Sequence, residues 1–167
     1  MTTRTLLKPV LAASLCLLLS ACISVNLGPK APEKSKNVTY THLPPIYREL
    51  KDVRADGAWR HAKNGNTISY LSTCNDPADP SLEVAAEEVV LAMGTPKNVS
   101  QKKLDFDGRE ALDTEAEARV EGVPTRIHAL VFKKNACLYT LSLVGLAKSF
   151  AQGEADYAQF LKGFIAP

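Results

Sequence analysis

The chain has 167 residues, with 20 Lys and Arg against 18 Asp and Glu. Two of the cations, Arg4 and Lys8, precede the first apolar run, and the rest of the chain carries 18 charges of each sign. A balanced chain has no electrostatic footprint for nucleic acid, so no nucleic-acid partner is expected. The part beyond the first 21 residues is long enough for one domain with a core of its own.

Residues 1–21 form a leader. After the basic start, Val10 to Leu19 is apolar except for Ser14. That length suits a signal-peptide core and is too short for a spanning helix. It ends in Leu19-Ser20-Ala21-Cys22, which resembles the lipobox of bacterial lipoproteins. The resemblance implies cleavage before Cys22 and lipidation of that residue, with a diacylglycerol thioether and palmitate-type acyl chains. Two or three such chains, at about 0.8 kcal/mol per buried CH₂, make a stable anchor. Ile23 follows, where retention in the inner membrane would favour Asp. The expected location is the cell envelope, on the outer membrane and facing the periplasm.

Four cysteines are present. Cys16 leaves with the leader and Cys22 is the lipidation site. Cys74 and Cys137 remain in an oxidising compartment, where a disulfide is the simplest use of a pair. Two buried thiols are the alternative, and no Cys-x-x-Cys motif points to redox chemistry. Residues 22–45 read as the acylated cysteine and a flexible tether, punctuated by Gly28, Pro29, Pro32, Pro44 and Pro45 and solvated by Lys30, Lys34 and Lys36. A single globular domain is expected over 46–167.

Within that domain, Ala58 to Arg60 starts a strand carrying Trp59, the sole tryptophan. Asn64-Gly65 is a hairpin signal. Thr67 to Cys74 alternates, with Ile68, Tyr70 and Cys74 on one face and Leu71 on the other. Asp79 and Pro80 start a helix whose stripe is Leu82, Ala86, Val89, Val90 and Met93; Gly94 and Pro96 stop it.

Val99 to Phe106 reads as a strand, turned by Asp107-Gly108. The segment from Arg109 to Val120 has helix-favouring residue types but a period of two: Leu112, Thr114, Ala116, Ala118 and Val120 alternate with Asp113, Glu115, Glu117 and Arg119. With tight turns at both ends, alternation outweighs propensity. A two-residue turn at Glu121-Gly122 then sets Glu117 opposite Arg126, Glu115 opposite His128, Ala116 opposite Ile127 and Leu112 opposite Val131. Lys134-Asn135 turns the next strand into Ala136 to Val144. Bulk on both sides of that last strand predicts a central, doubly covered position. Tyr157, Phe160, Leu161 and Phe164 recur at helical spacing and close the chain.

The expected class is α+β: a mainly antiparallel sheet with helices packed on both faces. This layout resembles the PsbP-like α-β-α sandwich, a fold shared with Mog-type proteins. The residues that carry the resemblance are Trp59, Gly65-Asn66-Thr67-Ile68-Ser69-Tyr70, the meander from Gly108 to Tyr139, and Phe150 with Phe160-Leu161-Lys162-Gly163-Phe164. It spans roughly residues 55–165. The resemblance implies assembly, docking or accessory roles more than catalysis, and no binding residue carries over from it.

The one cluster of chemical interest is Asp113, Glu115 and Glu117 on a single strand face, with Arg126 and His128 opposite. Three carboxylates at two-residue spacing can bind Ca²⁺ or serve a hydrolase. Arg126 and His128 read instead as neutralising partners, making the five residues a salt-bridged candidate interaction surface. His42, His61 and His128 lack metal-ligand spacing, and neither a Gly-x-Ser-x-Gly elbow nor a phosphate-cradling loop occurs. No catalytic, metal or cofactor residue is expected. The expected function is that of a non-enzymatic envelope lipoprotein: the membrane holds it through the N-terminal lipid, and it serves an envelope protein partner. The alternatives are a lipid or small-molecule binder with a pocket between the sheet and the Tyr157–Phe164 helix, and, less favoured, a hydrolase built on Glu115 and His128.

Overall fold

The structure, a computed structural model, describes residues 33–167. The expected leader, the expected lipobox with Cys22 and residues 23–32 of the expected tether lie outside the described residues. From 33 onward the elements are β1 (Tyr47–Glu49), β2 (Gly57–His61), β3 (Thr67–Cys74), α1 (Leu82–Leu91), β4 (Lys97–Phe106), β5 (Arg109–Val120), β6 (Val123–Lys134), β7 (Cys137–Leu146) and α2 (Ala151–Lys162).

The strands form one seven-stranded antiparallel sheet in the order β1-β2-β3-β7-β6-β5-β4. Strands β4 to β7 are a meander of consecutive hairpins. Their turns place Asp107-Gly108, Glu121-Gly122 and Asn135-Ala136 at positive φ, the geometry that matches the twist of two-residue hairpins. The last turn lies one residue beyond the expected Lys134-Asn135, because Lys134 pairs with Cys137. Asn64-Gly65 stands inside a longer loop closed between His61 and Asn66, whose backbone N–H and C=O are bonded at 2.8 Å. β7 is the central strand, as its two-sided bulk requires. The β5–β6 register is the one expected from the Glu121-Gly122 turn, including Glu117 with Arg126 and Glu115 with His128.

α1 is capped by Ser81, whose hydroxyl accepts from the Val84 N–H at 3.2 Å. Asp79, the expected cap, pairs with Lys133 instead. α2 ends at Lys162, so Phe164 is buried from beyond the helix end, where Ile165 pairs with Thr39.

Alternate residues of β6 divide between different clusters. Ile127 and Ala129 pack with Val90 of α1, and Val131 with Ala85 and Ala86. Leu130 and Phe132 pack with Tyr157 and Phe160 of α2. The α2 cluster is the larger and aromatic: the rings of Phe132 and Tyr139 stack at 4.9 Å, with Phe164 edge-on to both. Tyr139, Tyr157, Phe132 and Phe160 are all less than 2% exposed, each contributing about 1.5–3 kcal/mol of burial. The space between the sheet and α2 is thus filled with rings, and solid core stands where the alternative reading placed a ligand pocket.

The expected tether requires correction. Glu33 and Cys74 exchange two backbone hydrogen bonds at 3.1 and 2.7 Å, and Thr39 and Ile165 do the same at 3.1 and 2.9 Å. Tyr40 sits against Trp59, Tyr70 and Phe160, with centroids 5.1, 5.6 and 5.7 Å away. Residues 33–45 therefore form a strap docked on the domain, which begins at least at Glu33 and not at 46.

Candidate functional site

Strands β5 and β6 set the candidate residues by alternation alone. Asp113, Glu115 and Glu117 leave β5 on one face, and the register brings Arg126 and His128 of β6 beside them. Arg126 reaches both neighbours: Nη2 lies 3.2 Å from Glu115 Oε2 and Nε 3.7 Å from Glu117 Oε1. Its guanidinium also lies 4.9 Å over the Phe150 ring, an arrangement that holds the fork in place. His128 Nε2 is 2.6 Å from Asp113 Oδ1, and the imidazole meets the Tyr157 ring edge-on at 5.1 Å.

Burial of the His128 imidazole works against its charged form. The hydrogen bond to Asp113 and the charges of Asp113, Glu115 and Glu154 outweigh it together and raise the pKa above the ordinary 6.5. His128 with Asp113 is therefore an ion pair over a wider pH range than a free histidine would give. Tyr157 beneath it is fully buried and its phenol is pushed well up by desolvation; it donates to the Leu141 carbonyl at 2.9 Å.

The five residues stand side by side along two strands. Among the described residues, no three His, Cys, Asp or Glu side chains converge on one point. His42 lies against Tyr40 on the strap, and His61 against Tyr47 on the far hairpin, so the three histidines are not brought together. Cys74 and Cys137 face each other across β3 and β7 and are joined by a disulfide. That pairing follows from the register once β7 is placed beside β3.

A second polar cluster has no counterpart in the sequence reading. Asp56, whose side chain is 8% exposed, is paired by Lys34 at 3.0 Å and accepts from the Ser72 N–H at 2.7 Å and from the Ser72 hydroxyl. The Ser72 hydroxyl in turn accepts from the Ser35 N–H at 2.8 Å, and the Ser35 and Tyr139 hydroxyls lie 2.7 Å apart. This network latches the strap beside the disulfide. Its members are single polar residues whose bonded pairs lie up to 104 positions apart, so no spacing signal announces them.

Compared with known proteins, the chain matches no protein-family model, and no curated protein matches its sequence. Solved structures do match. LpqN of Mycobacterium tuberculosis, a protein involved in cell envelope biogenesis, superposes with a TM-score of 0.54 at 12% identity, over 85% of this chain and 88% of its own. CyanoP, the cyanobacterial PsbP of Synechocystis sp. PCC 6803, superposes with a TM-score of 0.54 at 12% identity, over 89% of this chain and 99% of its own. The fold is PsbP-like. At such identity the likeness is one of backbone path, and the acid-base row, the strap latch and the disulfide are read from this chain's own residues. No helix among the described residues is long and apolar enough to cross a membrane.

Proposed function

We propose that the protein is a lipoprotein of the bacterial cell envelope, anchored through Cys22, whose domain docks a protein partner and performs no chemistry of its own. The split of β6 between two clusters supports an α-β-α sandwich: Val131 faces α1 and its neighbour Leu130 faces α2, and successive strand residues point to opposite sides. Ile23 favours the outer membrane and a domain facing the periplasm. A fold shared with a protein of cell envelope biogenesis fits that setting.

The observation that carries the docking reading is the pairing within the row. His128 is engaged by Asp113, and Arg126 by Glu115 and Glu117. Each cation of the row is held by a carboxylate of the neighbouring strand, which fixes where its charge lies. The result is a partly exposed ledge with a carboxylate row on β5 against two cations on β6, a fixed pattern that confers register and specificity on a complementary protein surface.

Two experiments test the proposal. Cys22→Ala should move the protein from the membrane fraction to the soluble one, and unchanged fractionation rejects the anchor. Crosslinking in native envelopes followed by mass spectrometry should recover a stoichiometric protein partner from the natural chain. The Glu115→Lys and Arg126→Glu variants should lose it while remaining folded. Equal recovery from both variants removes the ledge as the docking surface.

A further inference from the structure

Arg48 of β1 and Arg60 of β2 are directly opposed in the antiparallel register. Their side chains leave the same face of the sheet as cross-strand neighbours, an arrangement in which like charges repel. Neither is ion-paired with another described residue, and nor is Lys63 in the following loop. The three cations line a cleft of about 680 Å³, and no Asp or Glu is among its lining residues. The Arg60 guanidinium lies over the loop at Gly65, where even a Cβ would meet Nη2 only at an ordinary contact distance of 3.5 Å. Opposite the cations the same cleft is bordered by Val120 and Leu146, which are 41% and 37% exposed.

We propose that this cleft binds a phosphate group carried on an apolar body. Two guanidinium forks and one ammonium supply more donors than a carboxylate's two oxygens can use, and they suit a tetrahedral oxyanion. A bound dianion removes the Arg48–Arg60 repulsion, so the charge arrangement that costs the free protein stability becomes the source of affinity. Val120 and Leu146 give the attached apolar portion a surface to cover. The proposal stands on this cleft alone and does not depend on a protein partner at the Glu115–Arg126 ledge. It also moves the ligand reading from the filled space beneath α2 to the other face of the sheet, because Arg60 and Thr67 alternate with Trp59 and Ile68 of the α2 cluster.

The test titrates the full chain, in neutral detergent, with inorganic phosphate and separately with hexyl phosphate, following backbone amide shifts. Saturable shifts should centre on residues 48, 60–67 and 144–146. Equal affinity for the two probes overturns the apolar body and leaves a free phosphate as the ligand. At least tenfold tighter binding of hexyl phosphate identifies an apolar phosphate ester, and Val120→Ser should then weaken only that probe. Arg60→Gln should lower affinity at least tenfold while leaving the melting temperature of the ligand-free protein unchanged or higher by roughly 1–3 °C, because one repulsion is gone. Saturation by neither probe, shifts centred elsewhere, or wild-type affinity in Arg60→Gln overturns the proposal.

Discussion

The Asn66 side chain fills the space that a Cβ on Gly145 would need. Asn66 is fully buried ahead of β3, and its Nδ2 donates to the carbonyls of Ser149 and Phe150 at 2.9 and 3.2 Å, tying the β2–β3 loop to the start of α2. Its Oδ1 has no hydrogen-bond partner among the described residues and rests on the backbone of Gly145, where a Cβ would stand 2.0 Å away. Gly145→Ala should cost about 2 kcal/mol by forcing this amide off its carbonyls. In an Asn66→Ala background the same change should cost far less, because the obstructing atoms are gone. Urea melts of the four proteins form the cycle, and additive losses would show that the two residues do not press on each other.

The β6–β7 turn offers a stabilising change. Ala136 sits at φ +60° as the second central residue of that turn, where the two equivalent turns place Gly108 and Gly122. An L-residue with a Cβ pays roughly 1–2 kcal/mol in the left-handed region, partly offset by glycine's greater freedom in the unfolded chain. Ala136→Gly should therefore stabilise the protein by about 0.5–1 kcal/mol. A lower denaturation midpoint in the variant would contradict this account of the turn.

The Cys74–Cys137 bond closes a sequence separation of 63. A loop of that length restricts the unfolded chain enough for about 2–4 kcal/mol of stability. The Cys74→Ala/Cys137→Ala double variant should lose that amount in denaturant melts, and adding a reductant should lower the natural protein towards it. Non-reducing peptide mapping that found two free thiols would remove the cause of the expected loss.

The His128–Asp113 pair gives stability a definite pH dependence. The folded-state pKa of His128 lies above its ordinary 6.5, so folding favours the protonated ring. The contribution is complete below the unfolded pKa and disappears as the pH rises through the higher, folded value. The melting-temperature gap between the natural protein and His128→Gln should accordingly be widest below the ordinary value of about 6.5 and narrow as the pH rises through the higher, folded value. A gap that stayed flat or widened with pH would mean that the imidazole is not held charged by Asp113.

The sequence by itself determined the meander. The period of two from Leu112 to Val120 overrode helix-favouring residue types, and the Glu121-Gly122 turn counted out the register that sets Arg126 beside Glu117 and His128 beside Glu115. Both signals act within a dozen residues: side-chain alternation is a property of one strand and turn geometry of two residues. The tertiary structure alone decided the strap and the basic cleft. Residues 33–45 have no periodicity to read, because their order comes from partners such as Tyr139, Phe160 and Ile165, more than a hundred positions away. The opposition of Arg48 and Arg60 likewise depends on a three-residue strand, β1, finding the sheet edge. So short a strand carries no pattern of its own, and only the completed sheet places its residues.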